Sequence, residues 1–354
     1  MTAFFIRIAP TLLVCVLTVL TGQAAGADGD KVYNVGVAGP GISLLYAHLA
    51  HDAGLWRKHG LETQVTVFES GTTLAQVARA GDVKIAINSG PTTVASRTQG
   101  ADTIMIASLV NTLPYSLVTA KQITRWDQLK GKKIAISRFG SGTDTAIRMV
   151  LKRYGIDPNK DVTLLQIGTQ PSRVQALTAG AIDGTLLSSP LDFEAKKLGL
   201  NIFLNIADLK IPYPQTVVEV TERYTREDPH TVKRFLKGFI EGAYYAKNNR
   251  DATKKVIMRH LQTQDPEILE ATYQSFLHAT DYSGYPSLDG IRNAIDEVGA
   301  RVPAAKTKKP EEFVDTHFLK ELDKEGFFKQ FHTASGLSRL PVVGKALDKL
   351  RRAN

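Results

Sequence analysis

The residues "SRFGSGTD" at 137–144 form a run of small polar side chains between two apolar segments. The preceding segment, 132–136, is rich in β-branched residues and predicts a strand, while 145–155 has helical spacing and a closing glycine. Glycine lets a backbone bend sharply and approach a ligand closely, and the first amides of a helix favour an anion or another acceptor. The run therefore predicts a loop that holds a polar or negatively charged group.

The same residue types, glycine with serine, threonine or asparagine, follow the other predicted strands. The six loops are 39–43, 69–73, 88–93, 137–144, 168–172 and 188–190. Helix caps and tight turns also use these residues, which would explain any one loop by itself. Ligands of open parallel sheets bind beyond the carboxyl ends of the strands, so we expect the six loops to face one another.

The chemistry of these loops suits an acceptor-rich ligand. Hydroxyls and backbone amides are neutral donors that would hold a sulfonate, a carboxylate or a polar heterocycle. Arg138 could add a charge-assisted contact. An arginine beside Phe139 in a loop could equally face solvent or pack its stem.

Strand-like and helix-like segments alternate from residue 31 to 209, and this order predicts an α/β protein built from βαβ units. The predicted strands are 32–38, 62–69, 83–88, 103–110, 132–137, 162–168 and 183–188. Helical segments dominate the rest, at 229–249, 251–262, 265–279, 287–300 and 310–326. The pattern indicates two lobes, each a mainly parallel sheet flanked by helices.

Two proline-marked segments, 111–116 and 210–215, flank the second set of strands. If the chain crosses between lobes at both, the second lobe is inserted into the first and a cleft lies between them. Two tandem domains are the alternative, but a strand-like run after the second segment favours insertion. The predicted boundaries are 28–113 and 213–330 for lobe 1, 114–212 for lobe 2, and 331–354 for a basic helical tail.

The first 27 residues have the layout of a secretory signal peptide. Arg7 precedes an apolar run at 8–20, and small residues follow it. A retained anchor would need about 20 apolar residues, and a lipid anchor on Cys15 fits the flanking residues poorly. Cleavage after residue 27 would remove the one cysteine of the sequence. The mature chain would then lack disulfides, a thiol nucleophile and thiolate metal ligands.

The formal net charge is +9, with 12 Lys/Arg against 7 Asp/Glu between Arg301 and Asn354. The basic residues are not interleaved with aromatic ones, so the sequence gives no support to nucleic-acid binding. We expect a helix in the tail near 340–352. Its apolar stripe could dock on lobe 1 or hold the protein weakly at an anionic membrane.

Several segments resemble the periplasmic solute-binding proteins of ABC transporters. They include "SGPTTVASRTQGAD" from residue 89, "LKGKKIAISRFGSGTDTAIRMVLKRYGIDPNKDVTLLQIG" from 129 and "RVQALTAGAIDGTLLSSP" from 173. The branch they resemble contains alkanesulfonate- and taurine-binding proteins and the fungal thiamine-pyrimidine synthase. The resemblance spans about residues 32–330.

This resemblance implies a type II-like two-lobe fold and a small polar or anionic organic ligand in the cleft, delivered to an ABC transporter permease. It implies a periplasmic monomer without a cofactor. The ligand-binding positions it implies are Ser43, Ser70, Gly71, Asn88, Ser89, Ser137, Gly140, Ser141, Gly142, Thr143, Ser188 and Tyr213. Arg138 joins this set on its chemistry.

A secreted enzyme of the same fold, acting on a small heterocycle or organic acid, is the alternative function. The sequence lacks a P-loop and a G-x-S-x-G elbow, and "GSGTDT" has Thr145 where a dinucleotide site needs a third glycine. His48, His51 and His59 do not have a known metal-site spacing. The fungal synthase resembles this fold but carries a cysteine-rich iron motif, which the mature chain cannot supply.

Overall fold

The protein is described here by a computed structural model that covers residues 31–39 and 41–334. Two five-stranded sheets organise the chain. The first contains β1 (Val32–Ala38), β2 (Glu62–Phe68), β3 (Ile85–Asn88), β4 (Thr103–Val110) and β10 (Thr216–Thr221), in the order β2-β1-β3-β10-β4. The second contains β5 (Ser116–Thr119), β6 (Lys132–Ile136), β7 (Val162–Gln166), β8 (Gly184–Leu187) and β9 (Asn201–Asn205), in the order β7-β6-β8-β5-β9.

The α/β two-lobe fold predicted from the sequence is confirmed, and its sheets are mixed. In the first sheet β1 runs parallel to β2 and β3, whereas β10 is antiparallel to both β3 and β4. In the second, β6 is parallel to β7 and β8, whereas β5 is antiparallel to β8 and β9. The antiparallel strands, β10 in the first sheet and β5 in the second, are the strands that follow a crossing from the other lobe. Each begins at the cleft and therefore runs opposite to its neighbours, whose carboxyl ends lie there. Periodicity along the sequence does not report that direction.

The chain passes between the sheets twice, at 111–115 after β4 and at 206–215 before β10. We propose that the lobe boundaries lie in these two segments, at the expected positions 113/114 and 212/213. The helices of lobe 1 are α1 (Ile42–Asp52), α2 (Leu55–Lys58), α3 (Gly71–Ala80), α4 (Gly90–Thr98), α8 (Glu222–Glu227), α9 (Pro229–Asn248), α10 (Arg250–Leu261), α11 (Pro266–Ala279), α12 (Leu288–Gly299), α13 (His317–Lys324) and α14 (Lys329–Ala334). Those of lobe 2 are α5 (Gly142–Arg153), α6 (Gln170–Thr178) and α7 (Leu191–Lys197).

The core of lobe 1 forms where α9 packs on α1, α2 and the sheet. Trp56 is fully buried, stacks on Phe235 with ring centroids 4.8 Å apart, and donates its indole N–H to the Phe235 carbonyl. Gly238 lies under this ring, where an added Cβ would come within 2.3 Å of Trp56 Cδ1. Lobe 2 has its own apolar core, in which Ile147 of α5 packs among β-strand side chains. Each lobe thus carries a separate core, and the space between them is available to a ligand.

The helix expected at 310–326 is divided in the structure. A 3-10 turn spans Pro310–Phe313, and α13 begins only at His317. Between them Val314 pairs with Met105 as a β-bridge, and the Asp315 amide donates to the Met105 carbonyl. Tertiary pairing with β4 therefore interrupts a segment that has a helical pattern. The predicted signal peptide and the tail beyond residue 334 lie outside the described residues.

Within the described part of the chain, no helix combines the length and the apolar character that a membrane crossing needs.

Candidate functional site

The carboxyl-end loops of the two sheets meet in a cleft between the lobes. The cleft holds about 610 Å³ of empty space, including the part open to solvent. Its lining residues are Ala38, Gly39, Gly41, Glu69, Ser70, Gly71, Ile87, Asn88, Ser89, Tyr115, Ser137, Ser141, Gly142, Thr143, Gln170, Arg173, Ser188 and Gln215. Segments far apart in the sequence therefore line one site, as the loop chemistry predicts.

The lobe 1 wall is built from the ends of β2 and β3 and the helices that follow. Ser70 caps α3 by accepting the Thr73 amide at 3.1 Å. The Asn88 side chain donates to the Gly71 carbonyl and accepts the Ser89 amide at 2.8 Å. These bonds fix the positions of the loops, so their polar groups face the cleft in a defined arrangement.

Three hydroxyls cluster at the amino end of α5 and form the opposite wall. Ser137 lies 2.9 Å from both Ser141 and Thr143, measured between hydroxyl oxygens, and Ser141 lies 3.0 Å from Thr143. Ser141 also caps the helix by accepting the Asp144 amide at 3.4 Å. The hydroxyls of "SRFGSGTD" therefore cap a helix and also line the cleft.

Arg173, in the first half of α6, is the one arginine or lysine that lines the cleft among the described residues. It is 1% exposed, and it donates to Thr185 Oγ1 at 2.9 Å, to the Leu186 carbonyl at 3.1 Å and to the Gly168 carbonyl. No ion pair of the described residues includes it. Burial lowers the pKa of Arg173 to about 10, so the guanidinium is charged at neutral pH. A buried cation without a carboxylate strongly favours an incoming anion.

Gln170 and Ser188 join Arg173 on the lobe 2 side and touch the other lobe. The Gln170 side chain accepts the Ser188 amide at 2.7 Å and donates to the Ser188 hydroxyl at 3.0 Å. Gly41 of lobe 1 lies against both, since an added Cβ would come within 2.7 Å of each side chain. Gly41 also has φ 137°, a backbone conformation that favours glycine. The lobes are therefore in direct contact around the cleft.

The two crossing segments form the floor of the cleft and are tied to it by tyrosines. Gln215 donates to the Tyr115 hydroxyl at 2.7 Å, and burial raises the pKa of Tyr115 to about 12. The Gln215 carbonyl oxygen Oε1 is buried without a hydrogen-bond partner. Tyr213 is fully buried and donates to the Gly142 carbonyl at 2.9 Å. Tyr213 thereby joins the crossing to the start of α5.

Most of the ligand-binding positions expected from the sequence line this cleft. They are Ser70, Gly71, Asn88, Ser89, Ser137, Ser141, Gly142, Thr143 and Ser188. Arg138, Gly140 and Tyr213 are placed just outside the lining. Ser43 lies in the first turn of α1, and its side chain is outside the described part of the structure.

Arg138 and Gly140 lie at the rim, for reasons visible in their contacts. The Arg138 guanidinium pairs with Glu69 of the other lobe, and both side chains are more than a third exposed. The Gly140 amide donates to Asp144 at 2.8 Å, away from the cleft. The charge-assisted contact expected between Arg138 and a ligand is made in this structure to Glu69 instead.

The sequence reasoning missed Gln170, Arg173, Tyr115 and Gln215. Gln170 lies within a loop that the sequence singled out, at 168–172, although no residue of that loop was among the expected ligand-binding positions. Arg173 lies one residue beyond that loop, in the first turn of the predicted helix. Its position at a strand end was a usable signal, although nothing in the sequence distinguishes it from a surface arginine.

The three histidines considered for a metal site point to different partners. His51 Nδ1 lies 3.0 Å from Thr63 Oγ1, and His59 Nε2 lies 2.8 Å from Glu241. His48 instead stacks on His260 beside Asp52, with ring centroids 3.5 Å apart and planes at 10°. One ligand atom from each of His48, Asp52 and His260 lies within 4.8 Å of the other two, a grouping that the spacing of His48, His51 and His59 does not predict.

The family profile described as "NMT1/THI5 like" matches residues 43–253, which include five of the six strand-end loops and both crossings. This protein is a member of the NMT1/THI5-like family. The match confirms the resemblance found in the sequence, whose branch includes the fungal synthase.

Relatives of this NMT1/THI5-like protein include named binding proteins. "Putative binding protein YtlA" of Bacillus subtilis (strain 168) is 25% identical over 276 residues, covering 75% of this chain and 82% of YtlA. The ligand-binding component of an ABC-type import system from Staphylococcus aureus has a TM-score of 0.67 at 14% identity, covering 82% of this chain and 98% of that one. The alkanesulfonate-binding protein SsuA from Xanthomonas axonopodis pv. citri, solved with MOPS, has a TM-score of 0.65 at 15% identity, covering 79% and 95%. At these identities the two structures show the fold.

Proposed function

We propose that this protein is an extracytoplasmic solute-binding protein that captures a small organic anion in the cleft and delivers it to an ABC transporter permease. The confirmed fold, the family and the names of its relatives support a binding role. The signal-peptide pattern at 1–27 supports a periplasmic location. One chain supplies both walls of the site, which supports ligand binding by a monomer.

The observation that carries the proposal is the buried guanidinium of Arg173. A charge removed from water costs several kcal/mol unless a counter-ion is near. The partners of Arg173 are two carbonyls and a hydroxyl, which are neutral acceptors. A guanidinium carries more N–H groups than these three acceptors use. An anion entering the cleft would therefore gain charge-assisted hydrogen bonds and offset the cost of burial.

The rest of the lining narrows the ligand class. Hydroxyls of Ser137, Ser141 and Thr143 surround the amino end of α5, where the helix dipole also favours negative charge. A sulfonate or a carboxylate satisfies both features. A neutral pyrimidine would use the hydroxyls but leave Arg173 without a counter-ion, so we place it behind the two acids.

Closure of the lobes would complete the site. Gly142 approaches Ser89 so closely that an added Cβ would lie 2.8 Å from its hydroxyl oxygen, and Glu69 pairs with Arg138 at the rim. A ligand must enter while these contacts are open, and two crossings permit such a hinge motion. We infer that the closed form presents the loaded protein to the permease.

A ligand screen with the chain lacking residues 1–27 tests the proposal. Thermal-shift assays would compare straight-chain sulfonates, straight-chain carboxylates and neutral pyrimidines, followed by calorimetry and native mass spectrometry. We expect an acid to raise the melting temperature and to be recovered unchanged. Binding of pyrimidines alone, or recovery of a chemically converted acid, would contradict the proposal and favour the alternative of a secreted enzyme.

A further inference from the structure

A second, larger chamber lies beside the cleft, between α11 of lobe 1 and the β5–β9 edge of lobe 2. It encloses about 1730 Å³ of empty space, including the part open to solvent. Its lining residues are Thr112, Pro114, Tyr115, Ser116, Ser189, Asp192, Phe193, Lys196, Ile202, Asn205, Ala207, Asp208, Lys210, Gln274, Ser275, His278 and Ala279. Of the six loops that the sequence singled out, only 188–190 contributes to this lining, through Ser189.

The chamber and the cleft are adjacent. Tyr115 lines both spaces, and consecutive residues at the end of β8 divide between them, with Ser188 facing the cleft and Ser189 the chamber. The Tyr115 hydroxyl is held by Gln215, on the cleft side. One side chain and one loop thus separate the two spaces, and displacement of the Tyr115 side chain would join them.

Asp192 is the least exposed of the charged residues that line the chamber. Its carboxylate accepts the Ser116 hydroxyl at 2.9 Å and the Phe193 amide at 2.9 Å. No ion pair found in the described residues includes Asp192. The other charged side chains of the chamber, Lys196, Asp208, Lys210 and His278, belong to exposed residues. Ser189 is a further hydrogen-bond partner of Asp192, and among the described residues no cation pairs with this carboxylate.

Apolar side chains lie along the same wall. Phe193 and Ile202 line the chamber together with the Tyr115 ring, and all three are at least half-buried. Such surfaces stabilise the methylene groups of a ligand by removing them from water. The two spaces taken together present a cation, then an apolar path, then an uncompensated carboxylate.

We propose that the ligand is an elongated monoacid whose far end carries a hydroxyl or ammonium donor, with the acid at Arg173 in the cleft and the donor at Asp192 in the chamber. This inference rests on the proposed function, because it assumes that Arg173 holds the acid. A donor at the far end supplies the partner that the Asp192 carboxylate lacks, and the linking methylenes contact Tyr115 and Phe193.

Two matched series of acids test this length preference. Calorimetry would compare straight-chain sulfonates and carboxylates of two to eight carbons, each with and without a terminal amino group. In the wild type we expect affinity to rise with chain length and, for the longer acids, to be at least tenfold higher with the terminal amine. Asp192→Asn should remove that advantage. The control Asp208→Asn, at an exposed position of the same chamber, should retain it.

Filling the chamber gives an independent measurement. Ser275→Phe on α11 should weaken the longer acids at least tenfold and leave the two-carbon acids unchanged, while the control Ser275→Ala should bind all of them as the wild type does. Circular dichroism would confirm that each variant is folded.

The outcomes separate this inference from the function it rests on. If short and long acids bind equally well and Ser275→Phe has no effect, the two-space ligand is wrong while the anion site at Arg173 stands. If no acid binds, or if acids bind equally well to a folded Arg173→Leu variant, the proposed function itself fails.

Discussion

Two places between the lobes each contain a buried charge of lobe 2: the outer seam, formed by Asp144, Arg148 and Arg301, and the inner cleft, which contains Arg173. The two buried charges differ in whether the protein supplies a counter-ion. In the seam, Asp144 is fully buried and bonded on both oxygens, to Arg148 of its own helix at 2.6 Å and to Arg301 of lobe 1 at 2.6 Å. In the cleft, Arg173 is equally buried and has neutral partners.

A buried charge can therefore stabilise the fold or form part of a binding site, depending on whether the protein itself supplies the counter-ion. The Asp144 network compensates its charge within the protein, and because Arg301 follows α12, it also fastens the two lobes together. The Arg173 site leaves the compensation incomplete, so that a ligand can provide it. Replacing Asp144 in the seam should therefore lower the stability of the fold, whereas replacing Arg173 in the cleft should lower the affinity for the ligand.

The largest expected effect comes from Arg173→Leu. Losing the charged partner of the ligand should weaken acid binding by about a thousandfold, equivalent to about 4 kcal/mol. The melting temperature should be equal to or above that of the wild type, because an apolar side chain avoids the cost of burying a charge. Calorimetry and a thermal melt measure the two quantities. A large drop in melting temperature would mean that Arg173 stabilises the fold as Asp144 does, which would contradict the contrast between the seam and the cleft.

A pH dependence of comparable size is expected from Glu219 on β10, a buried acid of lobe 1 that does not line the cleft. It is 1% exposed, and burial raises its pKa to about 7, although Thr93 donates to one oxygen. The folded state binds a proton more tightly than the unfolded state, so its stability falls as pH rises from about 4.5 to 7. The difference corresponds to about 3 kcal/mol.

Denaturant unfolding at pH 5 and pH 8 measures this dependence, and Glu219→Gln should flatten it over that range. A glutamate can neutralise itself by taking a proton, whereas an arginine cannot, which sharpens the case for a ligand at Arg173. Equal slopes in the variant and the wild type would show that other groups carry the pH dependence.

Asp144→Asn tests the seam. It leaves Arg148 and Arg301 without a carboxylate and should lower the free energy of unfolding by about 2 kcal/mol, since both arginines keep some contact with solvent. The affinity for the acid should change less than the stability. Asp127→Asn, which removes an exposed pair with Arg125, is the control and should have little effect. A stability loss no greater than that of this control would contradict the structural role of the seam.

Gly142→Val tests the contact between the lobes at the cleft. A side chain here would collide with Ser89, which belongs to the other lobe, so the open form should fold normally and closure should be impeded. We expect acid affinity to fall about tenfold, or about 1.4 kcal/mol. Calorimetry with the acid found in the screen provides the measurement. Gly142→Ala, which is smaller, should give a weaker effect, and unchanged affinity in a folded valine variant would rule out this contact.

The smallest effect is expected at the rim. Arg138→Ala removes an exposed ion pair with Glu69. Such a pair contributes about 0.5 kcal/mol to the free energy of unfolding or to the free energy of lobe closure. Affinity should change less than threefold and should depend on salt in the wild type more than in the variant. A loss comparable to that of Arg173→Leu would indicate that Arg138 leaves Glu69 to bind the ligand.

The sequence by itself determined the architecture and the positions of the site loops. Short apolar runs alternating with helical segments predicted the strands, because a strand such as β4 that is buried on both faces is apolar along its length. Small polar residues at the strand ends marked the loops. Serines such as Ser70 and Ser141 cap helices wherever the chain turns from strand to helix, so their positions are encoded locally.

Only the tertiary structure decided which charged side chains line the cleft. Arg138 and Arg173 look alike in the sequence, yet one pairs with Glu69 at an exposed rim and the other is buried beside the cleft. The direction of β10, the pairing of Val314 with β4 and the chamber beside Tyr115 likewise depend on which segments meet. Burial and pairing are set by residues distant in the chain, and a local pattern carries no information about those neighbours.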